Sequence, residues 1–162
     1  MLHPDVPPGG IALDQYFPPE KVSGMREYLK DFSRFSGIDD MIFPERMPNT
    51  LLALAVTEFA REKGKLHQFR KLAMDAYWRS DLDLEAKTVL GAIAENAGLE
   101  PMKAVSATED EDYLHRVKMM NHEAWQNGIT GIPTFIIGES RIVGCQPFEV
   151  LEEAVNKANG KE

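Results

Sequence analysis

Apolar residues recur at helical spacing along most of this chain and change to a strand-like pattern only near its end. From Glu20 to Phe35, Val22, Met25, Leu29 and Phe32 mark one face of a helix, with Gly37 placed to cap its C-terminus. Pro48-Asn49-Thr50 predicts a helix start, with Asn49 or Thr50 as the cap and an end at about Lys63. Leu51, Leu52, Leu54, Ala55, Val56, Phe59 and Ala60 leave that helix little polar face, so a central position surrounded by protein is expected. Gly64 ends it, and Leu66, Phe69, Ala73 and Ala76 trace the inner face of a partner helix to about Arg79. Asp83 is a candidate cap for a third helix through about Ala97, with Val89, Leu90, Ile93 and Ala94 inward and Gly98 at its end. Pro101 opens a short helix. The acidic run Glu109 to Asp112 suits the positive end of a long helix bearing Tyr113, Val117, Met120 and Ala124, which Gly128 stops. Phe148, Leu151, Ala154, Val155 and Ala158 predict a last amphipathic helix.

Three stretches break this pattern. Residues 1–19 carry Pro4, Pro7, Pro8, Pro18 and Pro19 with Gly9 and Gly10, which predicts an extended, turn-rich lead. Ile38 to Met47 reads as a connector with a small apolar cluster at Met41, Ile42 and Phe43. Thr134 to Ile137 and Arg141 to Val143 are β-rich runs around the turn-forming Gly138-Glu139-Ser140, which predicts a β-hairpin. Pro133 cannot donate a backbone hydrogen bond, so it belongs at the first residue of that strand or on an edge, with Ile132 held extended before it. A cis or a trans bond at Pro133 is compatible with the sequence.

Gly-Ile-Pro-Thr-Phe, a hairpin, then Gly-Cys-Gln-Pro and an amphipathic helix resembles the C-terminal end of the DsbA-like branch of the thioredoxin superfamily, in particular FrnE-type disulfide oxidoreductases and 2-hydroxychromene-2-carboxylate isomerases. His3 to Gly10, Pro48-Asn49-Thr50 and Gly128 to Gln146 carry the resemblance across nearly the whole chain, in the family's order. It implies an α/β, thioredoxin-like fold, mostly α-helical, with a C-terminal β-hairpin and helix. Residues 20–127 would be a helical insertion domain, and residues 1–19 with 128–162 the remnant of the thioredoxin-like domain. Such proteins begin with a strand, an active-site loop containing Cys-x-x-Cys or Ser, and a long helix; none precedes Met1 here, so the chain is expected to be truncated at its N-terminus. A further strand at residues 1–4 is a secondary expectation.

With 162 residues, 43% hydrophobic and 27% charged, one main globular domain is expected. The net charge of −8, from 26 acidic and 18 basic residues, argues against nucleic acid as a partner. No stretch approaches the ~18 apolar residues of a membrane span and Met1-Leu2-His3-Pro4 is not a signal peptide, so no membrane association and a cytoplasmic location are expected. The single cysteine, Cys145, excludes an internal disulfide, and no Cys-x-x-Cys or His-x-x-x-His cluster offers a metal site.

The resemblance implies a cis-proline, substrate-binding loop of Ile132, Pro133 and Thr134, with Ile132 offering its backbone to an extended thiol peptide or to glutathione. It places Asn49 and Thr50 beside the same site, although capping explains both residues as well. Cys145 precedes a helix N-terminus that could activate its thiol; a small buried apolar filler is the preferred reading. His3, His67, His115 and His122 lack ligand-spaced partners, and Tyr77-Trp78 reads as packing. The leading function is a thiol-disulfide oxidoreductase relative, weak or inactive as given, with no cofactor required beyond glutathione as a candidate ligand. A glutathione-dependent isomerase or transferase and a non-enzymatic helical interaction module are the alternatives. An unpaired hairpin edge predicts a homodimer.

Overall fold

The computed structural model of the protein describes residues 6–160. Pro7, Pro8, Gly9 and Gly10 reverse the chain early: the Gly10 N–H donates to the Pro7 carbonyl at 3.0 Å, and both glycines have positive φ. A Cβ at Gly10 would stand 2.7 Å from the Met47 carbonyl oxygen, so only glycine lets the two backbones approach there. That approach seats β1 (Ile11–Ala12) antiparallel to Arg46–Met47, with Ile11 opposite Met47 and Ala12 opposite Arg46. A single-turn helix, α1 (Leu13–Tyr16), follows, its Leu13 N–H held by the Glu45 carbonyl. α2 (Pro19–Phe35) begins with proline in its first turn, where the missing N–H costs nothing, and Gly37 at φ 69° ends it. After a connector comes β2 (Arg46–Met47).

The helices α3 (Leu51–Glu62), α4 (Leu66–Ser80), α5 (Lys87–Asn96) and α6 (Pro101–Ser106) build the core. α3 packs on α4, α5 and α6, and its Ala55, Val56 and Ala60 are completely buried, as its nearly all-apolar sequence predicts. Phe69 of α4 and Leu90 of α5 are equally inaccessible. Val56, Phe69 and Leu90 each contribute roughly 1.5–3 kcal/mol by leaving water. α3 also buries Glu58, whose carboxylate accepts from the Arg61 guanidinium at 3.1 and 3.2 Å.

α7 (Glu111–Gln126) follows, then the strands β3 (Thr134–Ile137) and β4 (Ser140–Val143), and α8 (Phe148–Ala158). The described chain divides into two compact units, with the division at Lys118 and Met119. Among the described residues 59% are helical, in keeping with a mostly helical α/β fold. No helix among them is long and apolar enough to cross a membrane.

Several expectations need correction. The lead is not only extended, since it contains α1 and β1, and the connector ends in β2. These are two-residue strands paired across the chain, too short to leave a periodic signal. The expected strand at residues 1–4 lies outside the described residues. α5 starts at Lys87 rather than after Asp83, because Asp83 makes a turn instead: its Oδ1 accepts the Glu85 N–H at 2.9 Å and its carbonyl accepts the Ala86 N–H at 3.2 Å. α8 buries Ala154 but leaves Phe148 and Val155 exposed, since four-residue strands cannot cover the apolar face of an eleven-residue helix.

Candidate functional site at the start of the C-terminal hairpin

Gly128, at φ 69°, ends α7 in a left-handed turn, with its N–H donating to the Trp125 carbonyl and the Ile129 N–H to that of Ala124, both at 2.9 Å. The last carbonyls of the turn are taken by Arg141 of β4, which donates to Asn127 O at 2.7 Å and to Gly128 O at 3.1 Å. Arg141 therefore fixes where the loop to β3 begins. At the far end of that loop the Thr134 hydroxyl donates to the Gly131 carbonyl at 2.6 Å. A Cβ at Gly131 would press on the Val143 side chain at 3.3 Å. Ile132 and Pro133 lie exposed between these anchors, and the bond joining them is cis.

The hairpin register fixes which backbone groups are turned outward. Pro133 O accepts the Gly144 N–H at 2.8 Å, and the ladder continues with Thr134 opposite Val143, Phe135 opposite Ile142, Ile136 opposite Arg141 and Ile137 opposite Ser140. Hydrogen-bonded and non-bonded pairs alternate along an antiparallel ladder. Pro133, Phe135 and Ile137 thus bond to the β4 side, while Thr134 and Ile136 turn their N–H and C=O groups to the other edge of β3. Among the described residues that edge has no neighbouring strand. On the two faces of the hairpin, Phe135, Ile137 and Ile142 are half-buried, while Ile136 is 59% and Val143 51% exposed.

Cys145 follows Gly144 and is exposed, so the expectation of a buried apolar filler is overturned. Gly144, at φ 85°, turns the chain off the end of β4 immediately before it.

Asn49 and Thr50 belong to the first unit. Asn49 is engaged on every side: its Oδ1 accepts the Leu51 N–H at 2.8 Å, its Nδ2 donates to Val6 O, and its own N–H donates to Glu85 Oε1 at 2.8 Å. Thr50 is buried at the start of α3. Glu85, which the sequence did not single out, also accepts the Gly9 N–H at 2.7 Å. One carboxylate thereby ties the N-terminal turn to the head of α3, and no sequence signal distinguishes it from any other glutamate in a turn.

In the same unit Glu62 accepts from the Tyr113 hydroxyl at 2.6 Å and from Arg116 at 2.8 Å. The Tyr113 bond first, then Arg116, holds the Glu62 carboxyl below its ordinary value, and the same bond pushes the Tyr113 phenol up to about 12. Glu62 and Arg116 are exposed, Tyr113 is half-buried against the core, and together they join α3 to α7, a structural role. Tyr77, also pushed up to about 12 by burial and then by Asp81, stacks edge-on against Trp78 at 4.9 Å.

Three comparisons bear on this arrangement. The family model described as a DSBA-like thioredoxin domain matches residues 1–156. The protein YwbO of Bacillus subtilis is 28% identical over 153 residues, which are 93% of this chain and 76% of YwbO. A probable DsbA oxidoreductase from Streptomyces coelicolor superposes with a TM-score of 0.76 at 20% identity over 93% of this chain. The chain spans 65% of that protein, which is less than two thirds of its length. A proposed protein disulfide isomerase from Nitrosomonas europaea gives a TM-score of 0.71 at 16% identity, covering 90% of this chain and 77% of its own. At these identities the two structures establish likeness of fold alone.

Proposed function

Because the chain belongs to the DSBA-like thioredoxin domain family, we propose that it serves thiol-disulfide chemistry by binding an extended, cysteine-containing peptide along the outer edge of β3. The observation that carries this reading is the pair of residues in β3 whose backbone groups turn outward, Thr134 and Ile136, beside an exposed Ile132-Pro133 pair. An incoming strand finds there alternating donors and acceptors at ladder spacing, so main-chain bonds supply affinity and side chains on alternate positions supply selectivity. Glutathione, a short thiol peptide, is the smaller ligand of the same chemistry.

The 162 residues hold one cysteine, and a dithiol-disulfide cycle within them would need two. The role assigned to this stretch is therefore substrate binding, with Ile132, Pro133 and Thr134 as its contacts and Cys145 outside the cycle. Pairing of two copies through the same edge would give a homodimer that competes with peptide.

Fluorescence anisotropy with a labelled cysteine-containing peptide tests the reading. Ile136→Pro removes one outward N–H while sparing the bonds to β4, and proline is tolerated on an edge strand. At least tenfold weaker binding by Ile136→Pro is expected, with an unchanged circular dichroism spectrum. Equal binding by both proteins, or none by either, would refute it; sedimentation at several concentrations separates the dimer from peptide binding.

A further inference from the structure

α2 and the segment that follows it enclose an open cleft of about 390 Å³ in the first unit. From α2 come Arg26, Leu29, Lys30, Ser33 and Arg34, spaced as one face of a helix. From the segment come Asp39, Met41, Phe43 and Glu45, every second residue, which is the period of an extended chain. The residues between them are used elsewhere: Asp40 pairs with Arg79 at 3.3 Å and the Ile42 N–H donates to the Trp78 carbonyl at 2.6 Å. α4 thus holds the segment by its even positions, and the odd ones are left to form the wall.

The chemistry of the two walls differs. Leu29, Met41 and Phe43 are half-buried and give an apolar floor. Arg26 lies over the Phe43 ring at 5.2 Å, which braces that floor and brings one cation to its rim. Lys30 and Arg34 continue the cationic row by one helical turn each; Arg34 stands 3.7 Å from Asp31 in an exposed pair that water screens, and among the described residues Lys30 has no carboxylate within ion-pair distance. In a chain of net charge −8, three cations on one helical face are a local exception. Asp39 and Glu45 on the opposite wall repel ligands carrying several negative charges.

We propose that this cleft binds a small organic monocarboxylate with an apolar or aromatic body. The body rests on Leu29, Met41 and Phe43, and the carboxylate meets Lys30 and Arg34. The volume lies at the small end of the roughly 300–1,000 Å³ typical of ligand pockets, which suits a single-ring acid. Asp39 and Glu45 select against di- and triphosphates. This site is independent of the β3 edge.

Isothermal titration calorimetry with 3-phenylpropanoate, and with 3-phenylpropanamide as its uncharged counterpart, tests the proposal on the whole chain. The acid is expected to bind saturably and the amide at least tenfold more weakly. Lys30→Gln, on an exposed position that leaves the fold intact, should weaken the acid at least fivefold, and Phe43→Ala should weaken both compounds. No binding of the acid at millimolar concentration, equal binding of the amide, or indifference to Lys30→Gln would each overturn the assignment.

Discussion

The helical unit ending at Lys118 and the hairpin unit beginning at Met119 are built on opposite principles. The first holds a contiguous cluster of buried side chains from α3 to α6, with Phe69, Leu90 and Val56 completely inaccessible. The second buries one side chain among its described residues, Ala154, and exposes Trp125, Ile136, Val143 and Phe148 by half or more. What shapes the second unit is polar and backbone geometry: Arg141 on the end of α7, Thr134 on Gly131, and positive-φ glycines at 128, 138 and 144. A core needs side chains that turn away from water, whereas a strand that recruits a peptide must keep its backbone groups and neighbouring apolar surface available. The stretch carrying the proposed function is accordingly the one with least burial.

Mutations can break or sharpen that contrast. The largest effect is expected from Phe69→Ala in the core: a loss of about 3–5 kcal/mol in urea denaturation, from lost transfer energy and the cavity left behind. Ile136→Ala in the hairpin should change stability by less than about 0.5 kcal/mol, as for exposed sites generally. Comparable losses at the two positions would show that the hairpin face is covered and the contrast false.

Glu85→Ala comes next. It strips the acceptor from the exposed Gly9 and half-buried Asn49 N–H groups, and each lost hydrogen bond costs about 0.5–1.5 kcal/mol. Amide exchange at Gly9 and Asn49 should accelerate; unchanged exchange would mean that other groups hold the turn. In the hairpin unit the most sensitive side chain should be polar. Arg141→Ala is expected to cost about 1 kcal/mol through the lost bonds to Asn127 and Gly128, more than Ile136→Ala does. The reverse order would place packing above capping there.

The smallest effect per group is the response to acid. Glu62, Asp75 and Glu109 all have carboxyl values lowered in the fold, chiefly by hydrogen bonds from Tyr113, Lys71 and Lys87 respectively. A lowered folded value means that the folded state favours the ionised form, so this stability is present above the ordinary values of 4.5 for Glu and 3.8 for Asp and is lost as pH falls through the lowered ones. All three groups lie in the first unit, Glu62 and Glu109 exposed and Asp75 half-buried, so salt will reduce the effect. Denaturation midpoints should fall from pH 5 to pH 3, and Glu62→Gln should flatten part of that slope. A midpoint that rose on acidification would contradict the sign.

Where helices begin and end was legible because the information is local. Gly37, Gly64, Gly98 and Gly128 all take positive φ at the helix ends read from the sequence, and Pro101 opens the short helix it was expected to open. The hairpin followed from β-branched runs around a turn, with the loop one residue shorter than Gly138-Glu139-Ser140 because Ser140 pairs with Ile137. The Ile132-Pro133-Thr134 loop proposed as the site was singled out through its resemblance to a family pattern, which neither spacing nor composition would have supplied.

The sequence by itself determined the helices, their inward faces and the hairpin, since propensity, capping and periodicity act within a few residues of one another. Tertiary structure alone decided the β1–β2 ladder, the pairing of Glu85 with Gly9 and Asn49, the seat of Arg141 on α7, the exposure of Cys145, and the cleft between α2 and the connector. Each of these depends on groups that are unremarkable where they stand in the chain. They acquire a role only when folding the core brings distant backbone donors, acceptors and charges within bonding distance, and no periodicity in the sequence records such meetings.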